Sequence, residues 1–270
     1  MSENIHEFFA EKGPGKHFHQ VIALHESPDL EWEKISQLLP LLPRGWFELA
    51  RLPVEDRIEF THEYWQAKLP FIEGASAHLE RRLLEFFESV EEIGVYAIQA
   101  KQGGLFDIHM VYSLKGAMGF FQGSPPASED VLDRLVKHFS HIRFPPDYLA
   151  FLQIHDGFSK YTDTGMIKSR DMVQVYQRLQ HLFAQEDLIR PDGEVIALEH
   201  LIPFYESFGL HCYQCFYADW YPQEEMGNVY FSEHDRSISN FLESSSFEDN
   251  LAFSTFLGWL IFYLEDIWHL

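Results

Sequence analysis

"FPPDYLAFLQIHDGF", residues 144–158, is the stretch on which the fold turns. Proline fixes its backbone φ and lacks an N–H, so Pro145 and Pro146 suit the first turn of a helix and not its interior. Asp147 adds negative charge where the helix dipole favours it. Tyr148, Phe151, Leu152 and His155 recur at helical spacing, with Leu149 and Ile154 widening the apolar side. Gly157 can take the left-handed conformation that ends a helix, and Asp156 before it suits a turn. The spacing predicts a short helix, sharply punctuated and buried on one side. It implies no chemistry.

Downstream, residues 170–183 are amphipathic through Met172, Val173, Val175, Tyr176, Leu179 and Phe183. A turn is expected at 190–193, "RPDG". Residues 195–198, 201–204, 210–217 and 228–231 read as short strands separated by Gly and acids. Ser246 or Asn250 is expected to open a last helix carrying Phe253, Phe256, Trp259, Phe262 and Tyr263. Upstream, Ser128 can cap a helix whose Val131, Leu132, Leu135, Val136 and Phe139 face inward, with Glu129 and Asp130 in its first turn. "GSPPAS", residues 123–128, is the best candidate boundary.

The first half reads as helices. Residues 30–42 have an apolar rhythm broken by Pro40 and Pro43, and Pro53 can start a helix that runs to about Lys68. Residues 75–92 are the clearest case, with Leu79, Leu83, Phe86, Phe87 and Val90 on one face. Residues 95–100 and 105–112 change to a strand pattern, Gly103-Gly104 can turn between them, and 119–122 can add a third strand. The expected class is α+β: an antiparallel sheet of several short strands with helices packed on one face, preceded by a mainly helical N-terminal region with a small β-hairpin. The expected division is 1–122 as that N-terminal region of unknown role, 123–127 as a linker, and 128–270 as the second domain.

With 270 residues, 46% of them hydrophobic, the chain can bury a substantial core. The start, with Glu3, His6 and Glu7, lacks a basic region followed by an apolar one, so no secretory signal is expected. The longest apolar run, 251–264, is broken by Ser254, Thr255 and Gly258 and is shorter than the roughly 20 residues of a membrane span. Two cysteines agree with a reducing compartment, and a cytoplasmic location is expected.

Net charge is −22. From 191 to 270 a single basic residue, Arg236, stands against 14 acids. Such a surface repels nucleic acid and anionic lipid, which are bound through Lys and Arg on phosphates. It attracts a basic protein and speeds the encounter.

In this order the elements resemble the SUKH superfamily, which includes regulators of the Smi/Knr type. The resemblance covers about residues 128–270. Its helix signature is matched by Pro145, Pro146, Asp147, Tyr148, Phe151, Leu152 and Gly157, with Phe144 in place of the usual Leu and Gly157-Phe158 in place of a double Gly. Ile202-Pro203-Phe204 matches its middle strand. Gly227-Asn228-Val229-Tyr230 with Glu233-His234-Asp235 matches a later strand and turn, and Ser246-Phe247 matches the opening of the last helix. The resemblance implies a non-enzymatic binding domain. Many bacterial members look like immunity proteins that neutralise secreted toxins, often nucleases. Eukaryotic members look like regulatory interaction proteins, so a regulatory scaffold is the alternative role.

The chemical motifs are incomplete. Cys212 and Cys215 form a CxxC with no second pair, inside an aromatic strand pattern, where burial is the expected role. His17-x-His19 and His138-x-x-His141 lack the rest of a ligand set, and "HEYWQ", 62–66, lacks the second His of a zinc-protease helix. "GPGKHF", 13–18, lacks the P-loop spacing, and no GxSxG occurs. No cofactor, no metal and no catalytic residue is expected, and an uncharacterised enzyme is the weakest alternative. The expected partner-binding residues are the loop acids and their aromatic neighbours: Asp219, Trp220, Tyr221, Glu224, Glu225, Glu233 and Asp235.

Overall fold

The computed structural model describes residues 5, 8, 9, 18–71, 76–117, 119–161, 163–182, 188–190, 193–207, 211–222, 224–242 and 250–265. The first half opens with β1 (Gln20–Ala23), then α1 (Trp32–Leu38), α2 (Arg44–Leu49), α3 (Val54–Lys68) and α4 (Ala77–Ser89). Pro43 and Pro53 stand at the N-caps of α2 and α3, where a missing N–H costs nothing. Helix α4 buries Leu83, Phe86 and Phe87 and passes directly into β2 (Val90–Gln99). The expected helix to residue 92 stops early, and the acids at its end have partners in α3 and in the strand that follows β2. Glu91 accepts from Ser113 Oγ at 2.6 Å, and Glu92 pairs with the buried Arg57 at 3.0 Å.

The hairpin is larger than expected. Strand β2 pairs with β3 (Phe106–Leu114) along nearly its whole length, with a register shift between Val90 and Glu92. These two strands are the middle of a five-stranded sheet in the order β1-β2-β3-β4-β5, with β4 at Phe120–Gly123 and β5 at Phe158–Lys160. Residues 20–123 therefore supply four strands as well as the four helices α1 to α4.

Between β4 and β5 lie α5 (Glu129–His138) and α6 (Pro146–Leu152), the helix of the stretch quoted first. Ser128 holds the N-cap position of α5 with extended backbone, but its side chain makes no capping hydrogen bond. Leu132, Leu135 and Phe139 are buried, whereas Val136, expected inward, is exposed. The rest of the chain forms β6 (Gly165–Met166), α7 (Ser169–Leu182), β7 (Leu188–Ile189), β8 (Val195–Ile196), β9 (Leu201–Ser207), β10 (Cys212–Tyr217), β11 (Asn228–Ser232), β12 (Ser237–Ile238), β13 (Ala252–Phe253) and α8 (Phe256–Glu265). These strands make a second sheet in the order β6-β9-β10-β11-β12-β7-β8, with β13 paired to β11. Among the described strands only β12 and β7 run parallel.

The last helix begins later than expected. Asn250 lies in a turn, and Phe253 pairs with Asn228 in the sheet instead of entering the helix. Ser246, Phe247, Phe183 and Leu210 lie outside the described residues.

Strands β5 and β6 are separated by four residues and end the two sheets, so the chain crosses between the sheets there. Helix α6 sits at this seam. Phe151 packs on Trp65 of α3 (5.3 Å), Phe158 of β5 (5.7 Å) and Phe256 of α8 (5.7 Å). One continuous core runs from Leu24 to Leu264 and includes both halves. Residues 123–127, read from sequence as a linker, are strapped to the quoted stretch: Ser124 N donates to Gly157 O (2.9 Å), Ala127 N to Leu152 O (2.8 Å) and Asp156 N to Pro125 O (3.2 Å).

Candidate functional site

The loop acids are carried by the β10–β11 hairpin, whose register runs from Cys212↔Ser232 to Phe216↔Asn228. Asp219, Trp220, Tyr221, Glu224 and Glu225 lie in the connection at one end. Asp219 Oδ2 is 2.6 Å from His200 Nδ1. Trp220 is half-buried, 5.1 Å from Phe241, and closes its turn by accepting from Gly227 N at 2.9 Å. Tyr221 and Glu224 are exposed, and Glu225 is half-buried. Glu233 and Asp235 lie at the other end. Glu233 Oε2 is 3.6 Å from His211 Nδ1, and Asp235 Oδ2 accepts from Ser232 Oγ at 2.9 Å. A strand of this length separates the two acid groups by roughly 17 Å at about 3.3 Å per residue. The structure thus gathers the five residues of the first group and sets Glu233 and Asp235 apart from them.

Gly227 fixes the aromatic of the first group. A Cβ there would lie 2.4 Å from Trp220 Cε3. Gly227→Ala is expected to push the indole off Phe241 and to cost about 1–3 kcal/mol, as overpacking does. Thermal melts and a shifted tryptophan emission maximum check this; unchanged values of both would show that the indole does not depend on the glycine.

The acids of the quoted stretch have a different use. Asp147 is buried. Its Oδ1 accepts from Tyr148 N at 2.8 Å, and its Oδ2 accepts from Leu257 N, in the first turn of α8, at 2.7 Å. Burial pushes its carboxyl up to about 6, against the Leu257 hydrogen bond and with a small addition from the charge of Glu225. Asp156 accepts from Ser169 N (2.6 Å) and Ser169 Oγ (2.9 Å) at the start of α7. Each acid therefore satisfies an amide that a helix terminus leaves without an intrahelical partner. Gly157 has φ +102°, and a Cβ there would lie 2.9 Å from Lys168 Cγ, so the end of the stretch requires glycine. Pro203 pairs with Cys215 where the β9–β10 register shifts, a place in a sheet that tolerates a missing N–H.

This succession of a capped helix, a proline-bearing strand and an acidic hairpin has a known counterpart. Residues 126–252 match the SMI1 / KNR4 family (SUKH-1). Over this segment the chain is similar to a SUKH domain. No curated protein and no solved structure matches the chain. The SUKH-like segment starts in the strap after β4 and ends in β13. Helix α8, which Asp147 of the SUKH-like segment caps, lies outside the match, as do β1 to β4 and the first four helices.

Within the SUKH-like segment, Cys212 and Cys215 are both buried, and burial pushes the Cys215 thiol up. Among the described residues no three His, Cys, Asp or Glu side chains are grouped to hold a metal ion. His19, His138 and His141 are exposed, His62 packs 4.9 Å from Phe87, and residues 13–17 lie outside the described residues. No described helix is long and apolar enough to cross a membrane.

One buried polar chain escapes a reading of the sequence. Trp65 Nε1 donates to Tyr112 Oη (3.2 Å), which lies 2.6 Å from His155 Nε2, while His155 Nδ1 lies 3.0 Å from Ser124 O. A carbonyl only accepts, so the proton is on Nδ1 and the Tyr112 hydroxyl donates to Nε2. Burial holds His155 down to about 4, which keeps it neutral. The only signal in the sequence is a histidine on an otherwise apolar helical face.

Proposed function

We propose that the chain is a non-enzymatic protein-binding module of the cytoplasm that occludes the active surface of a basic partner, and that immunity to a nuclease-type toxin is its role. The observation that carries this reading is the charge of the last 80 residues: from 191 to 270, 14 acids stand against Arg236 alone. The loop group Asp219, Trp220, Tyr221, Glu224 and Glu225 has the composition of an interface anchor, aromatics beside acids, and it projects from the end of a well-buried hairpin.

Affinity capture of the tagged chain from its own cells at low and high salt tests it. The expected result is one basic protein retained at low salt and lost at high salt, whose activity the purified chain blocks. Two double variants then divide the surface: Glu224→Lys with Glu225→Lys, and Glu233→Lys with Asp235→Lys. The first pair is expected to slow association about tenfold or more and to flatten its salt dependence. Because the second pair lies at the opposite end of the hairpin, its effect reports whether the footprint spans the whole length of the hairpin. A partner whose association neither pair alters would exclude these loops.

A further inference from the structure

A cleft of about 530 Å³ opens between the N-terminal helices and the SUKH-like segment. Trp46 and Leu52 line it from the α2 side, Phe60 and Trp65 from α3, and Ile154 and His155 from the quoted stretch. We propose that this cleft seats an apolar side chain projecting from a Lys- and Arg-rich segment of a partner protein.

Three observations on different residues support this. The volume lies within the range of about 300–1,000 Å³ typical of ligand sites. The floor offers no free polar group: the Trp65–Tyr112–His155–Ser124 chain pairs the indole N–H, the phenol and both ring nitrogens of a neutral histidine. A polar ligand group would find nothing to bind there, whereas an apolar one loses only water. At the lip stands Gly45, inside helix α2, where an added Cβ would meet nothing within 4 Å. Glycine within a helix costs about 0.5–1 kcal/mol relative to alanine. No steric constraint demands it here, and its effect is to leave the mouth open.

The flanks define the occupant's charge. Leu52, Phe60 and Tyr64 are exposed at 39%, 55% and 37% and continue the apolar lining outward. On the same helix Asp56 and Glu63 stand one turn before and one turn after Phe60, with Glu55 and Glu59 beside them, all exposed. Of the charged residues, Glu48 and Arg51 line the cleft itself; Arg51 donates to Leu30 O at 2.8 Å and stacks over Phe47, and Lys68 stacks over Tyr64, which leaves the acids in excess around the mouth. An apolar anchor between cations complements this surface, and one between acids does not. The site is distinct from the hairpin loops. It shares with the proposed function the expectation of a basic protein partner.

The test uses the full chain and a short peptide with 4-fluorophenylalanine between two lysines on each side, followed by fluorine NMR at low salt. The expected result is saturable broadening and shift of the fluorine line. A glutamate-flanked peptide should bind about tenfold or more weakly, a difference of about 1.4 kcal/mol. Gly45→Leu, which fills the mouth without lowering the melting temperature, should weaken the lysine peptide by a similar factor, as should Phe60→Ser. Glu129→Lys with Asp130→Lys, two exposed acids of α5 outside the cleft and the hairpin loops, should leave it unchanged. No binding, or binding indifferent to Gly45→Leu and Phe60→Ser, would overturn the proposal. Equal binding of both peptides, or of free fluorotoluene without charge preference, would overturn it in favour of a small apolar molecule. Binding lost only in the Glu224/Glu225 variant would overturn the cleft while favouring the hairpin loops.

Discussion

Trp65→Ala is expected to lower stability by about 3–5 kcal/mol, the cost of truncating a large aromatic in a packed core. It is expected to do so for the whole chain at once. Trp65 is fully buried. It touches Phe87 of α4 at 5.6 Å, Tyr112 of β3 at 5.8 Å, Phe151 of α6 at 5.3 Å and Phe158 of β5 at 5.7 Å. Two of these neighbours belong to the SUKH-like segment and two precede it. Truncation also removes the donor that Tyr112 Oη accepts from, inside a buried chain where a lost partner costs most. The check is a thermal melt followed by far-ultraviolet circular dichroism, with hydrogen exchange on the second sheet. One lower transition and faster exchange in both sheets are expected. Two transitions, with exchange in β9 to β11 unchanged, would mean that the SUKH-like segment folds without the N-terminal half.

Asp147→Ala is expected to cost about 2–4 kcal/mol, because it strips the buried amides of Leu257 and Tyr148 of their acceptor. Asp147→Asn keeps an acceptor and removes the charge, so it isolates the pH dependence. In the native state the carboxyl is pushed up to about 6 from 3.8, chiefly by burial. Between those values the native chain holds a proton that the unfolded chain releases, so this group's contribution to stability falls as pH rises. Relative to Asp147→Asn, the native protein should therefore lose up to about 3 kcal/mol between pH 4 and pH 7. His155, held down to about 4 by burial, contributes the opposite slope over the acid range, and it cancels in the difference because both proteins carry it. Urea titrations at several pH values measure this. A difference that does not change with pH would show that the carboxyl is not raised by its surroundings.

These two residues also mark what could be read in advance. Asp147 was legible as an acid at the start of a helix, but its carboxylate caps α8, 110 residues away in sequence. Trp65 was legible as part of a helix running to about Lys68, while its aromatic partners come from four other elements. The acids of the hairpin were legible as a group. Their separation to opposite ends was not, because it follows from the β10–β11 register. The cleft was illegible, since its walls come from α2, α3, β3 and the quoted stretch.

What the sequence by itself determined is local. Pro145-Pro146 and the helical rhythm of Tyr148, Phe151 and Leu152 define the helix and, with the strands after it, the SUKH-like segment; the helix ends at Leu152, five residues before the stop expected at Gly157, because Gln153 and Ile154 already turn the chain. Backbone sterics and periodicity act over a few residues, so they are written in a few residues. The tertiary structure alone decided that β4 and β5 complete one sheet, that Asp147 and Asp156 cap other helices, and that Trp65, Tyr112 and His155 close the floor of a cleft. Those outcomes depend on which surfaces meet once apolar area leaves water, and burial has no direction along the chain.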